Sequence, residues 1–198
     1  MLKPLEMAHE LLAEVINPKD VVVDATMGNG YDTLFLAMLQ AEVYAFDIQK
    51  TALEMTEKRL NQAGILSDFL EEGGKELASH STVHLIHSGH ETVGRYVKEP
   101  ITAAIFNLGY LPKADKKLIT RPETTLTALS ALAKQLKVGG RIAVMVYYGH
   151  EGGEAEKTAV INWVASLPQE CWEVMSYAPL NQIHTPPFLI VLEKRKEA

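Results

Sequence analysis

Apolar residues along the chain fall into blocks that alternate between helical and strand periodicity. Leu5, Ala8, Leu11, Leu12, Val15 and Ile16 recur at helical spacing, and Asn17-Pro18 is expected to end that helix. Residues 21–24 form a short apolar run that closes on Asp24, a glycine turn follows, and 32–39 reads as the next helix. The pattern then repeats, with a strand at 43–47 closing on Asp47 and a helix at 52–60 that carries charges on its outer face. From 64 to 81 the periodicity fades around Gly73-Gly74, which predicts a surface insertion. Strands follow at 83–86 and 101–106. Thr120-Arg121-Pro122-Glu123 fits a capping box with a proline in the first turn, opening a helix to about residue 137 that Gly139-Gly140 stops. A strand at 141–147, a helix at 154–167 and two last strands at 172–177 and 188–193 complete the pattern.

Unbroken apolar strands that alternate with amphipathic helices predict an α/β fold, a mostly parallel sheet with helices on both faces. The 198 residues suit a single domain spanning 1–198, long enough to bury a core. Composition narrows the picture. No apolar run approaches a membrane span, and the N-terminus reaches Glu6 without a signal-like apolar stretch, so a cytoplasmic location without membrane attachment is expected. Cys171 is the lone cysteine, which rules out a disulfide framework and a cysteine zinc site. There is no His-Glu-x-x-His or similar spacing, and no metal is expected. The net charge of −6 argues against wholesale wrapping of nucleic acid but leaves room for a local basic patch.

Chemistry is expected beyond the carboxyl ends of the strands, where open α/β sheets bind ligands. After the first strand stands Asp24-Ala25-Thr26-Met27-Gly28-Asn29-Gly30, and its glycines permit close approach of backbone to ligand. Asp47, ending the second strand, can take the two hydroxyls of a ribose. Both features suit either a dinucleotide or S-adenosylmethionine (SAM). Two details favour SAM. Thr33 replaces the third glycine that packing near a pyrophosphate requires, and Asp24 would attract a cationic sulfonium where it would repel a pyrophosphate.

Asn107-Leu108-Gly109-Tyr110 follows the fourth strand and so faces the same crevice. It is similar to the Asn/Asp-Pro-Pro-Tyr/Phe signature of amino-group methyltransferases, with Leu-Gly in place of Pro-Pro. Methyl transfer to nitrogen needs a neutral amine whose lone pair points at the methyl carbon. An Asn or backbone carbonyl can fix that aim and an aromatic ring can stack on a base, so positioning supplies much of the rate. His90, in Ser88-Gly89-His90-Glu91, and His150, in Tyr147-Tyr148-Gly149-His150, also follow strands. Either could be an acceptor or a proton relay, and a hydrogen-bonded loop histidine is the plainer reading of each. Lys113, Lys116, Lys117 and Arg121 cluster just after the Asn107 loop, where they suit RNA phosphates. Tyr110, Tyr147 and Tyr148 offer stacking surfaces for a splayed-out base, or pack at strand ends.

Taken together, the segments 24–37, Phe46-Asp47-Ile48-Gln49, Gly89-His90-Glu91, Ala104 through Pro112 and Tyr148-Gly149-His150 resemble the YtqB/MnmM group, once labelled rRNA methylases. The resemblance runs nearly end to end and implies a class I SAM-dependent fold of seven strands. It implies methylation of the aminomethyl group of 5-aminomethyl-2-thiouridine at the tRNA wobble position, by a homodimer acting on the anticodon stem-loop. Carried over by motif, Asn29, Asp32, Asp47, Gln49, Gly89 and His90 would line the SAM pocket with Gly28 and Gly30. Asn107, Gly109 and Tyr110 would line the transfer site with His150. His184-Thr185 and the 64–81 insertion depart from the group's pattern. The competing expectations are a SAM enzyme acting on rRNA or a small amine, and an NAD-binding module without methyl-transfer chemistry.

Overall fold

A computed structural model of the chain describes residues 1–70, 81–109 and 119–197. Eight strands among these residues form one sheet in the order β3-β4-β2-β1-β5-β6-β8-β7. The strands are β1 (Val21–Asp24), β2 (Glu42–Asp47), β3 (Ser67–Phe69), β4 (Val83–His87), β5 (Ile101–Leu108), β6 (Leu136–Val146), β7 (Trp172–Tyr177) and β8 (Phe188–Lys194). The helices are α1 (Pro4–Ala13), α2 (Tyr31–Met38), α3 (Lys50–Gln62), α4 (Val93–Tyr96), α5 (Pro122–Gln135) and α6 (Gly153–Ala165). Strands β3, β4, β2, β1, β5 and β6 run parallel, and β8 enters antiparallel between β6 and β7.

Strand periodicity of two explains the layering. Val23, Phe46, Ile86 and Phe106 point to one face of the sheet and pack with Leu129, Leu132 and Val160 of α5 and α6. Their neighbours Val22, Ala45, Leu85 and Ile105 point to the other, against Leu12, Leu36, Leu53 and Leu60 of α1, α2 and α3. Both faces being covered, the strands read as continuous apolar runs. The chain steps outward from β1 through β2 to β4 and then crosses back to β5, so β1 pairs with both β2 and β5. That reversal opens a crevice at the carboxyl ends of β1 and β5.

The structure departs from the sequence pattern at four places. The sheet holds eight strands, not seven, because Ser67–Phe69 in the expected insertion pairs with β4 as an edge strand; residues 71–80 of that stretch lie outside the described residues. Helix α1 ends at Ala13, ahead of Asn17-Pro18. The cap of α5 is Arg121, because the Thr120 hydroxyl is engaged elsewhere. Finally, Gly139-Gly140 lies inside β6 and does not stop a helix. A Cβ on Gly140 would stand 2.6 Å from the Thr102 carbonyl, and the pairing with β5 shifts register between Ile101 and Ala103, so the glycines let an irregular strand start pass.

Candidate active site

The carboxyl ends of the parallel strands converge on a cleft of about 960 Å³. Its floor begins with the turn after β1. Gly28 (φ +50°) and Gly30 (φ +77°) take left-handed conformations that glycine adopts without strain. A Cβ on Gly30 would also stand 2.8 Å from the Thr56 backbone, so glycine lets α3 pack against the turn. The turn is tied to the sheet by Met27 N–H donating to the Phe46 carbonyl at 2.9 Å. It is tied to α3 by Arg59, whose Nε donates to the Asn29 carbonyl at 2.7 Å while its guanidinium lies 3.5 Å over the Tyr31 ring.

Asp47, at the end of β2, accepts from Gly28 N–H at 3.1 Å and Gln49 N–H at 2.9 Å. Burial holds its carboxyl above the usual carboxylate range. Beyond it, the Gly89-His90-Glu91 turn forms the neighbouring wall. His90 is buried, its Nδ1 bonds the Ala25 carbonyl at 3.1 Å, and its ring stands edge-on to Phe106. Burial lowers its pKa, which favours the neutral ring, and its buried Nε2 has no hydrogen-bond partner among the described residues.

Asp24 is placed differently from the sequence expectation. It is fully buried beneath the turn and does not line the cleft. Its carboxylate accepts from Thr26 N–H at 3.1 Å and the Thr33 hydroxyl at 2.6 Å, so it holds the turn in shape rather than meeting a ligand. Burial and the nearby Asp32 push its pKa up to about 7. The acidic side chains that do reach this part of the cleft are Asp32, Asp47 and Glu91.

The other half of the cleft is built on the end of β5. Asn107 N–H donates to the Thr26 hydroxyl at 2.7 Å, joining the two halves. Its side-chain Nδ2 donates to Asp32 Oδ2 at 2.6 Å, and Asp32 Oδ1 bonds His9 Nε2 at 2.6 Å. A carboxylate only accepts, so the amide nitrogen of Asn107 must face Asp32 and its oxygen points away from that carboxylate. Gly109 (φ +145°) exchanges two backbone-level bonds with Thr120: its N–H donates to the Thr120 hydroxyl at 2.9 Å and its carbonyl accepts Thr120 N–H at 2.9 Å. The Thr120 hydroxyl in turn donates to Glu156, a buried carboxylate that also accepts from Thr125, each at 2.6 Å. A Cβ on Gly109 would stand 3.2 Å from Tyr147 Cβ and 3.4 Å from His150 Nε2, which places both residues beside the loop. Tyr147 is half exposed on the cleft wall, and burial and Asp32 raise its pKa. His150 Nδ1 donates to the Glu151 carbonyl at 2.9 Å.

The cleft thus gathers Gly28, Asn29, Asp32, Asp47, Gln49, Gly89, His90, Asn107, Gly109, Arg121 and His150 in its lining. Tyr148 does not join them; its ring packs against Lys157 and Phe188, and Tyr147 is the tyrosine that faces the cleft. Tyr110, Lys113, Lys116 and Lys117 lie outside the described residues. Sequence reading missed His9, Thr26, Arg59, Thr120, Glu156 and Thr185. Thr26 and Thr120 stand inside motifs already singled out, the glycine turn and the expected capping box, but in other roles. His9, Arg59 and Glu156 are ordinary helix residues whose roles arise only from packing.

A doubly wound parallel sheet with one antiparallel strand inserted near its edge, and a glycine turn and acidic strand end framing the cleft, define a class I SAM-dependent methyltransferase. Within that class the chain belongs to the rRNA methylase family: the family model described as "Putative rRNA methylase" matches residues 43–193. Over 98% of its length the chain is 39% identical to the chloroplastic tRNA (mnm(5)s(2)U34)-methyltransferase of Arabidopsis thaliana, of which it covers 70%. Among solved structures it is similar to a Streptococcus mutans methyltransferase crystallised in complex with SAH (48% identity, TM-score 0.86, covering 98% of this chain and 99% of that one). It is also similar to a Clostridium thermocellum protein described as a "putative rRNA-methylase" (36% identity, TM-score 0.88, 98% of both chains).

Proposed function

We propose that this enzyme methylates the aminomethyl nitrogen of 5-aminomethyl-2-thiouridine at the wobble position of tRNA, using SAM and producing the 5-methylaminomethyl form. The observation that carries the reading is the fixed amide of Asn107, whose NH₂ group is taken by Asp32 so that its oxygen is the group turned away from that carboxylate, in the cleft beside the glycine turn. The tRNA activity of the Arabidopsis relative and the SAH in the Streptococcus mutans structure support it.

The cleft suits SAM. The charged side chains that line the cleft beside the glycine turn are the carboxylates Asp32, Asp47 and Glu91, while Arg59 packs on Tyr31 outside the lining. This is a poor environment for a pyrophosphate and a good one for a cationic sulfur. The orphaned Nε2 of neutral His90 marks a place for a ligand hydrogen bond. SAM supplies a methyl group activated by its positive sulfur. In this reading Asp47 and Gln49 hold the ribose, the 28–30 backbone lies against the amino-acid part, and Gly89-His90 borders the adenine. Asn107 orients the acceptor nitrogen, Gly109 leaves room for it between Tyr147 and His150, and Tyr147 walls the base. Tyr110 completes the transfer site, and Lys113, Lys116, Lys117 and Arg121 take flanking phosphates of the anticodon stem-loop. The chain acts as one domain over 1–198, as a homodimer in the cytoplasm.

The test is transfer from labelled SAM to bulk tRNA lacking the terminal methyl, followed by nucleoside mass spectrometry. One added methyl on 5-aminomethyl-2-thiouridine is expected. SAM binding without transfer to tRNA would overturn the substrate and redirect attention to rRNA or small amines.

A further inference from the structure

The Asn107 amide does not stand alone. It is the end of a hydrogen-bonded chain that begins on the outermost helix of the site. His9 of α1 reaches Asp32 of α2, and Asp32 reaches Asn107 at the end of β5, with both contacts at 2.6 Å. His9 is not part of the cleft wall, whereas Asp32 and Asn107 are. The polarity of the chain is fixed by chemistry. Asp32 as a carboxylate only accepts, so His9 must carry a proton on Nε2, and Asn107 must present its NH₂ group.

Helix α1 is held so that His9 keeps this reach. At its far end Arg141 of β6 donates to the Leu11 carbonyl and to Glu14, both at 2.6 Å. Before its first turn the Tyr177 hydroxyl of β7 donates to the Leu2 carbonyl at 2.9 Å. The His9 ring lies flat on Phe35, with centroids 3.9 Å apart and an interplanar angle of 6°. Other titratable groups face Asp32 from the elements around it: Asp24 from β1 and Tyr147 from the end of β6. Asp24 repels the negative charge on Asp32, so a carboxylate lacking its His9 donor is free to turn away from Asn107. That turn would release the Asn107 amide to flip and present N–H where an acceptor is needed.

We propose that His9 is a positioning residue for methyl transfer: by donating to Asp32 it locks the Asn107 amide with its oxygen toward the acceptor nitrogen. The inference rests on the amine-methylating reading above, and it assigns to α1 a part in the reaction that its place outside the cleft conceals.

Two substitutions separate the hydrogen bond from the ring packing. His9→Gln keeps an N–H donor at similar reach and loses the stack on Phe35. His9→Phe keeps the stack and loses the donor. The expected result is that His9→Phe lowers kcat at least about tenfold. SAM affinity by calorimetry should stay within about twofold, while His9→Gln recovers most of the turnover. The reverse order, an active His9→Phe and an inactive His9→Gln, would reduce His9 to a packing residue and overturn the proposal. So would equal activity in both. A second readout needs no acceptor. The side-chain amide NMR signal of Asn107, assigned by its loss in Asn107→Ala, should move in His9→Phe and hold in His9→Gln. An unmoved signal in both would overturn the proposal even in an active enzyme. A moved signal in His9→Phe alone would sustain it even if tRNA proved not to be the acceptor, so the two readings fail separately.

Discussion

At the scale of single residues, two aspartates near the glycine turn are separated by burial. Asp24 has no solvent and no cation, only one N–H and one hydroxyl, and its pKa rises from 3.8 to about 7. A carboxyl whose pKa is raised on folding stabilises the fold fully below the unfolded pKa and loses that contribution as pH climbs through the folded one. Between pH 3.8 and about 7, stability from this group therefore falls as pH rises. Asp24→Asn removes the titration, and thermal melts at several pH values are expected to show a flatter profile through that window than wild type. In the proposed mechanism Asp47 and Asn107 divide cofactor and acceptor between them. Asp47→Ala is expected mainly to weaken SAM binding, read by calorimetry. Asn107→Ala is expected to leave SAM binding near wild type and to lower kcat about a hundredfold, the scale at which one positioned donor or acceptor acts. Unchanged turnover in Asn107→Ala would remove the residue from the mechanism.

At the scale of elements, most of the fold was legible because buried parallel strands leave a strong imprint. The runs at 21–24, 43–47, 83–86 and 172–177 reappear as β1, β2, β4 and β7 with ends shifted by a residue at most. Where β3 and the α5 cap were missed, tertiary packing overrode a local signal. Ser67-Asp68-Phe69 is too short and polar to read as a strand, yet β4 offers it an edge. Thr120 looks like a cap in sequence, but the buried Glu156 claims its hydroxyl. The site shows the same division. Glycines and acidic strand ends announce themselves by position, whereas Glu156 sits on α6 as one more glutamate and matters because it clamps Thr120 and Thr125 under the Gly109 loop. Glu156→Ala would strand two hydroxyls and loosen that loop. The expected cost is about 2–3 kcal/mol in denaturant unfolding. A drop in turnover larger than the drop in SAM affinity should accompany it.

At the scale of the whole molecule, charge and substrate are at odds. The chain carries a net charge of −6, so its average field opposes the approach of RNA. Binding must then rest on local cations, and four of them fall within nine residues of sequence: Lys113, Lys116, Lys117 and Arg121. Arg121 caps α5 and borders the cleft, which sets the carboxyl end of this cluster against the transfer site. Each cation that meets a phosphate releases a counterion, so tRNA affinity should fall steeply with salt, with a slope that counts the contacts. Replacing all four by alanine is expected to weaken tRNA binding and to flatten the slope of log affinity against log salt by about 0.7 per lost contact with single-stranded loop. SAM affinity is expected to stay near that of wild type. A titration of labelled anticodon stem-loop between low and moderate salt measures both quantities. An unaltered slope would mean that RNA docks on another face, and that the basic cluster is only a solvated loop on an acidic protein.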